Sequence, residues 1–313
     1  MGVLFAVTLP VFGLILCGLA AGRMKVLGSA ATEGLNGFVY YFALPALLFH
    51  SVARAPLADI FDWGYLGTIA AGIAVTIAIA AALSRLIYGD RLSVATLRAI
   101  SASFANTGYV GIPLAITAFG EAAALPAIMA TVINSLVIGL AAAMVELDQR
   151  QSGVGPLASV GRTLVTNPLV LSVVGGGVIA VSGLAVPLPI ATFLDLLGAA
   201  AGPCALFALG LFVSQQRGGD GKSGDTVILT VLKLVVHPAA TWALAVLVFG
   251  LSARSTAIAV TMAALPTGAL VFVLAQRYQV FVRRASSTIL LTTLLSLVTV
   301  TLVLILVGDL AAP

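Results

Sequence analysis

Long apolar segments constrain this sequence more than any other feature. Runs of about 20 apolar residues, the length that a helix needs to cross a bilayer, recur along all 313 residues. Only 8% of the residues are charged, whereas a soluble domain usually has about a quarter. So few charges argue against a soluble enzyme, a disordered chain and a nucleic-acid-binding protein. The sequence therefore predicts an all-α integral membrane protein surrounded by lipid.

We expect ten transmembrane helices. The loops after odd-numbered spans contain twelve basic residues, whereas the loops after even-numbered spans contain only Arg54 and Arg254. Because basic residues collect on the cytoplasmic side, both termini are predicted to be extracytoplasmic. No basic residue precedes the first span, which favours a retained helix, with signal cleavage after Ala20 or Ala21 as the alternative. The predicted spans are 3–22, 33–52, 64–88, 95–118, 123–146, 168–183, 189–214, 226–249, 255–277 and 285–307.

The two halves of the chain resemble each other at a nearly constant offset. Pro45 and Pro203 are 158 residues apart, and Thr107-Gly108 precedes Thr267-Gly268 by 160. Five spans per half make the second copy inverted relative to the first, an arrangement typical of secondary transporters. The predicted organisation is a first five-helix repeat over 1–146, a cytoplasmic linker over 147–165 and a second repeat over 166–313.

Spans four and nine are predicted to be broken helices. Proline and glycine favour unwinding there, and matching breaks in two repeats indicate a transporter's binding site. A half-helix N-terminus with polar side chains beside it favours an anion such as a carboxylate. The alternative is a pair of ordinary proline kinks. The candidate substrate-binding residues are Asn106, Thr107, Gly108, Pro113, Pro266, Thr267 and Gly268.

Few ionisable residues lie inside the predicted spans. Lys233 and His237 are one helical turn apart in span eight. Lys233 either reaches the nearby surface or acts in anion attraction or gating. His237 either binds a coupling proton or packs between helices, and His50 is expected near the outer end of span two. Two separate cysteines give no metal site, and no cofactor is predicted.

Several of these motifs together resemble the auxin efflux carrier family, which includes plant PIN carriers and bacterial malonate and other organic-acid carriers. The resemblance covers nearly the whole chain. The motifs are Leu44-Pro45 to His50, Asn106-Thr107, Gly111-Ile112-Pro113-Leu114, Asn167-Pro168, Gly202-Pro203, Leu206 to Phe212, and Leu265-Pro266-Thr267-Gly268.

The resemblance implies a fold shared with bile-acid/sodium symporters. Helices 1, 2, 6 and 7 would form a scaffold and a homodimer interface, and helices 3–5 and 8–10 would form a transport domain around crossed helices 4 and 9. An elevator-like movement of that domain would give alternating access. Asn134 in span five stands where plant carriers place a polar residue that faces the substrate.

The chain departs from these relatives at the positions that concern ions. Gln276 stands where plant carriers have a lysine, and span three lacks the aspartate that pairs with it. No acidic residue occurs between Ser255 and Gln279, which makes sodium coupling doubtful and leaves proton coupling or uniport.

The sequence therefore predicts a secondary transporter for a small organic anion, such as malonate or an auxin-like acid, in a bacterial inner membrane. The alternatives are a sodium-coupled carrier like the bile-acid symporters, and a channel or sensor derived from this fold. An intramembrane enzyme is not expected, because the chain has no His-Glu-x-x-His or Gly-x-Ser-x-Gly motif and no intramembrane pair of aspartates.

Overall fold

The computed structural model describes residues 2–55, 62–149, 168–215 and 223–308. Within these ranges the regular elements are helices, which confirms the predicted all-α class. Most of the predicted linker, residues 150–165, lies outside the described residues, as do Thr166 and Asn167.

Fifteen α-helices are present in the described part of the chain. In chain order they are α1 Gly2–Arg23, α2 Ser29–Phe38, α3 Leu44–Ala53, α4 Trp63–Leu83, α5 Leu92–Ser103, α6 Ile112–Phe119, α7 Ala124–Gln149, α8 Pro168–Ser182, α9 Leu188–Ala199, α10 Ala201–Gln215, α11 Ser223–Val231, α12 His237–Leu247, α13 Ala253–Ala264, α14 Leu270–Tyr278 and α15 Val282–Gly308.

Six helical stretches among the described residues are long and apolar enough to cross a membrane. They match predicted spans two, three, five, seven, eight and ten. The remaining predicted spans correspond to α1, to α8, and to two segments whose helices are interrupted, α5–α6 and α13–α14. The six are Ser29–Ala53, Trp63–Tyr88, Glu121–Gln149, Leu188–Gln215, Gly224–Leu247 and Val282–Val307.

Three π-helical turns in the described residues precede prolines. The turns Val39–Ala43, Thr107–Gly111 and Leu232–Val236 are each followed by one residue and then by Pro45, Pro113 or Pro238. Proline has no N–H and its ring clashes with the carbonyl four residues earlier. A wider turn before it relieves that clash while the chain remains helical. Such turns are frequent at functional sites.

The described residues form two compact units. The first unit includes those within Met1–Asp62, Gly108–Val132 and Val165–Gln216. In it, α1 packs along α10, and glycines allow the two backbones to touch. A Cβ on Gly18 would lie 2.1 Å from the Phe207 carbonyl oxygen, and one on Gly210 would lie 2.0 Å from the Ile15 carbonyl oxygen. Small residues at helix contacts are typical of membrane proteins.

The second unit includes the described residues within Trp63–Thr107, Ile133–Leu164 and Arg217–Pro313. Part of its core is formed by Leu97 and Ile100 of α5 together with Val271 of α14. Helix α15 also exposes large apolar side chains, including Leu302 at 52% and Leu306 at 74%. An exposed apolar face is what a helix in contact with lipid requires.

Candidate functional site

Helices α5 and α13 end in the same way. Each is followed by an extended residue, Phe104 at φ −72° and ψ 108° and Leu265 at φ −61° and ψ 154°. Pro266 explains the second ending, because proline disfavours the helical conformation of the residue before it. The chain then re-enters helix through the π turn that begins at Thr107 and, after the second interruption, through α14.

The two interruptions pair with each other. Residues Ala105 and Thr267 form an isolated antiparallel β-bridge. The Asn106 N–H donates to the Pro266 carbonyl at 2.9 Å, and the Gly268 N–H donates to the Phe104 carbonyl at 3.1 Å. Backbone groups that leave a helix inside a membrane must find partners within the protein. Here each interruption supplies the partners that the other needs.

Thr267 fixes this pairing to the helices around it. Its side chain is fully buried, and its hydroxyl donates to the Ser101 carbonyl of α5 at 2.8 Å. Its N–H donates to the Thr292 hydroxyl of α15 at 3.2 Å. Both donors of Thr267 are thus engaged within the protein, and its role in binding substrate stays a prediction.

Asn106 and Thr107 offer polar side chains at the same place. Asn106 is 5% exposed and Thr107 is 3% exposed. Neither side chain has a hydrogen-bond partner among the described residues, although the Thr107 N–H donates to the Ala105 carbonyl. The Asn106 amide can both donate and accept hydrogen bonds, and its role in binding substrate stays a prediction.

The structure thus brings Asn106, Thr107, Pro266, Thr267 and Gly268 together at one site. Gly268 packs so tightly there that an added Cβ would lie 2.5 Å from the Phe104 ring.

The other predicted residues take no part in the hydrogen bonds described for this pairing. Gly108 and Pro113 belong to the first unit. Asn134 is buried in α7 of the second unit, at 3% exposure. Gln276 is exposed on α14.

A cavity of about 340 Å³ lies in the first unit. Two carboxylates, Glu121 and Asp195, reach it. The Asp195 carboxylate lies 2.6 Å from the Nδ1 atom of His50, whose ring is buried at 4% exposure. The sequence did not predict this pair, because the two residues are 145 positions apart. The cavity is lined by Leu44, Leu47, Ile112, Pro113, Ile116, Thr117, Glu121, Asp195, Gly198, Ala199, Ala201, Gly202 and Pro203.

Lys233 lies inside the second unit and does not reach its surface. The side chain is fully buried, and Nζ donates to the Ala263 carbonyl at 2.7 Å and lies 3.0 Å from the Nδ1 atom of His237. A lysine ammonium has no acceptor, so the ring nitrogen of His237 accepts when Lys233 is charged. His237 is then neutral and carries its proton on Nε2.

A network of ion pairs in the same unit was not predicted from the sequence. Arg98, at 1% exposure, bonds to Asp90 at 2.9 Å and to Asp225. Arg284 adds a contact of 3.3 Å to Asp225, and the Arg98 guanidinium stacks on the Tyr88 ring at 3.9 Å. The sequence signal that could have indicated this network was the presence of aspartates in a chain with few charged residues.

A family model described as "Membrane transport protein" matches residues 3–304. The chain belongs to this family of membrane transport proteins. The predicted resemblance to auxin efflux carriers is thereby confirmed, and membership of a transport family points to a transporter rather than an enzyme.

Two known proteins match different lengths of this chain. A protein of Rhizobium meliloti (strain 1021) named "Putative malonate transporter" is 33% identical over 308 residues, covering 97% of this chain and 96% of the relative. The mouse (Mus musculus) "Lysosomal cholesterol signaling protein" is 36% identical over 113 residues, which cover 36% of this chain and 13% of the relative.

Proposed function

We propose that this protein is a secondary carrier that moves a small organic anion across the membrane, with a short dicarboxylate such as malonate as the first substrate to test. The observation that carries this proposal is the paired interruption, where the buried Asn106 amide has no partner among the described residues. The match over nearly the full length of both chains to the protein named "Putative malonate transporter" supports the substrate class.

The ends of the helices at the interruption suit an anion. Helix α14 begins at Leu270, directly after the second interruption, and the N-terminal end of a helix carries partial positive charge and free N–H donors. We infer that the Asn106 amide and the Thr107 hydroxyl bind oxygen atoms of the substrate. Asn134, Pro266, Thr267 and Gly268 of the second unit are proposed to shape the site. For Gly108 and Pro113, a role in substrate binding stays a prediction from the sequence.

We further propose that ten spans form two inverted repeats, 1–146 and 166–313, whose helices 4 and 9 cross. Helices 1, 2, 6 and 7 would be a dimeric scaffold, and helices 3–5 and 8–10 would move against it like an elevator. The grouping of α1, α3, α8 and α10 in one compact unit supports the scaffold, although that unit also includes 108–132. Both termini are proposed to be extracytoplasmic, in a bacterial inner membrane.

We propose transport without sodium, either as uniport or coupled to protons. The span-nine region from Ser255 to Gln279 contains no carboxylate that would bind sodium. His50, His237 and Lys233 are the candidates for binding a coupling proton or for gating, and Gln276 is a candidate for gating. The short match to the mouse signalling protein gives less support to a sensor than the full-length match gives to a carrier.

The test is malonate binding to purified protein, measured by isothermal titration calorimetry, with uptake into liposomes as the second readout. We expect Asn106→Ala to reduce malonate affinity at least tenfold, because it removes the hydrogen bonds of a buried amide. Asn36→Ala is the matched control, since Asn36 lies in α2 of the first unit, whereas the paired interruption belongs to the second. Uptake is measured with and without sodium and with a pH gradient.

Each outcome separates the candidates. Unchanged affinity in Asn106→Ala would remove the interruption as the binding site. Uptake that requires sodium would favour the sodium-coupled alternative, and ion currents far above carrier turnover would favour a channel.

A further inference from the structure

Two lysine or arginine side chains among the described residues are almost completely buried, and their surroundings differ. Arg98 contacts two carboxylates, those of Asp90 and Asp225. Lys233 contacts only neutral groups, the Ala263 carbonyl and the His237 ring, and no described carboxylate lies within ion-pair distance of it. The charge of Arg98 is therefore compensated, whereas that of Lys233 is not.

An uncompensated ammonium inside a membrane protein is costly and usually functional. Part of the cost at Lys233 is offset because its ammonium contacts the C-terminal end of α13, and the C-terminal end of a helix carries partial negative charge. A neutral carbonyl and a neutral imidazole supply the rest of its observed contacts. A bound anion would stabilise this ammonium far more than any group now in contact with it.

The ammonium also has a donor to spare. A lysine ammonium has three N–H groups, and the described residues accept from Lys233 at two positions, Ala263 and His237. One N–H therefore has no partner among the described residues. Carboxylate oxygens are the acceptors that form the strongest hydrogen bonds with an ammonium.

Lys233 is held close to the paired interruption. Its partner Ala263 precedes Pro266 by three residues, and the Pro266 carbonyl accepts from Asn106. Three residues span at most about 10 Å. A carboxylate bound to the Lys233 ammonium would therefore lie near the paired interruption.

We propose that Lys233, as an ammonium, supplies the positive charge that binds a carboxylate of the transported anion. The inference rests on the proposed function and extends it by naming the charged residue and the substrate class, an acid with an ionised carboxylate. His237 acts as a positioning residue: its Nδ1 atom orients the ammonium. The binding site thus selects ionised acids over neutral molecules of the same shape.

The experiment compares binding of malonate and of its neutral diamide, malonamide, to the full-length purified protein by isothermal titration calorimetry. We expect Lys233→Met to weaken malonate binding by about tenfold to a hundredfold, the loss of one charge-assisted hydrogen bond, and to leave malonamide binding nearly unchanged. Lys233→Arg keeps the charge and is expected to retain a preference for malonate. The matched control is Lys25→Met, which removes an exposed lysine.

A merely structural role for Lys233 would weaken both ligands equally or unfold the protein. If Lys233→Met does not fold, the Lys233→Arg variant decides, because loss of its preference for malonate overturns the proposal. Equal malonate affinity in Lys233→Met and the unmodified protein also overturns it and leaves the proposed carrier function intact. Failure of the unmodified protein to bind any carboxylate would overturn both.

Discussion

Replacing Asp225 by asparagine tests whether the buried ion-pair network stabilises the second unit. The Asp225 side chain is 2% exposed and bonds to Arg98, which is equally buried, while Arg284 approaches its second oxygen at 3.3 Å. The substitution keeps the shape of the side chain and removes its charge. Arg98 then keeps Asp90 as its one carboxylate partner.

The size of the effect follows from burial. Removing one partner of a buried ion pair costs about 3–5 kcal/mol, and here the buried Arg98 loses one of its two carboxylates where water cannot replace it. A change of about 1 kcal/mol in the free energy of unfolding shifts the melting temperature of a large domain by roughly 2–4 °C. We therefore expect Asp225→Asn to lower Tm by about 6–20 °C.

The assay is thermal unfolding of the purified protein in detergent. Asp148→Asn is the matched control, because Asp148 faces Arg91 at 3.9 Å and the Arg91 side chain is 64% exposed. Pairs of that kind contribute about 0–1 kcal/mol, so Tm should fall by less than about 4 °C. Equal shifts for Asp225→Asn and Asp148→Asn would refute the argument that burial makes the Arg98 network strong.

Two further predictions concern close approaches at glycine. Gly210→Ala should lower Tm or prevent assembly of the first unit, because its Cβ would lie 2.0 Å from the Ile15 carbonyl oxygen and overpacking costs about 1–3 kcal/mol or more. Gly13→Ala has no atom within 4 Å of its Cβ, so a similar Tm loss there would contradict this reading. Gly268→Ala should reduce malonate affinity several-fold by displacing the Phe104 ring. The double variant with Phe104→Leu should recover part of that affinity. Malonate binding that is unaffected by Gly268→Ala would mean that this contact does not shape the site.

The sequence predicted the fold where a side-chain pattern reports it. Apolar runs located the six long spans within a few residues, because the length of a membrane-crossing helix is set by the bilayer. Proline and glycine at Pro266 and Gly268 marked an interruption, since both residues disfavour a continuous helix. The same signals marked Asn106-Thr107-Gly108, where α5 has ended three residues earlier.

The contacts of the site could not be read in the same way. Lys233 bonds to the backbone of Ala263, 30 residues away, and Thr267 bonds to the backbone of Ser101, 166 residues away. Every residue has a backbone carbonyl, so the residue type does not reveal which carbonyl accepts such a hydrogen bond. The sequence therefore left open whether Lys233 reached the surface, and it listed Thr267 as a substrate donor without showing its internal partners.

The pairing of the two interruptions gives a physical reason why the signals at Thr107-Gly108 and Thr267-Gly268 occur together. A single interruption would leave carbonyl and N–H groups in the membrane interior, and each unsatisfied group costs several kcal/mol. Here the N–H of Asn106 and the carbonyl of Pro266 satisfy each other, as do the N–H of Gly268 and the carbonyl of Phe104. Restoring a continuous helix at one position would remove the partners of the other. Each interruption therefore depends on the other for stability. An ordinary proline kink needs no distant partner, so proline kinks alone would not explain why the two signals occur together.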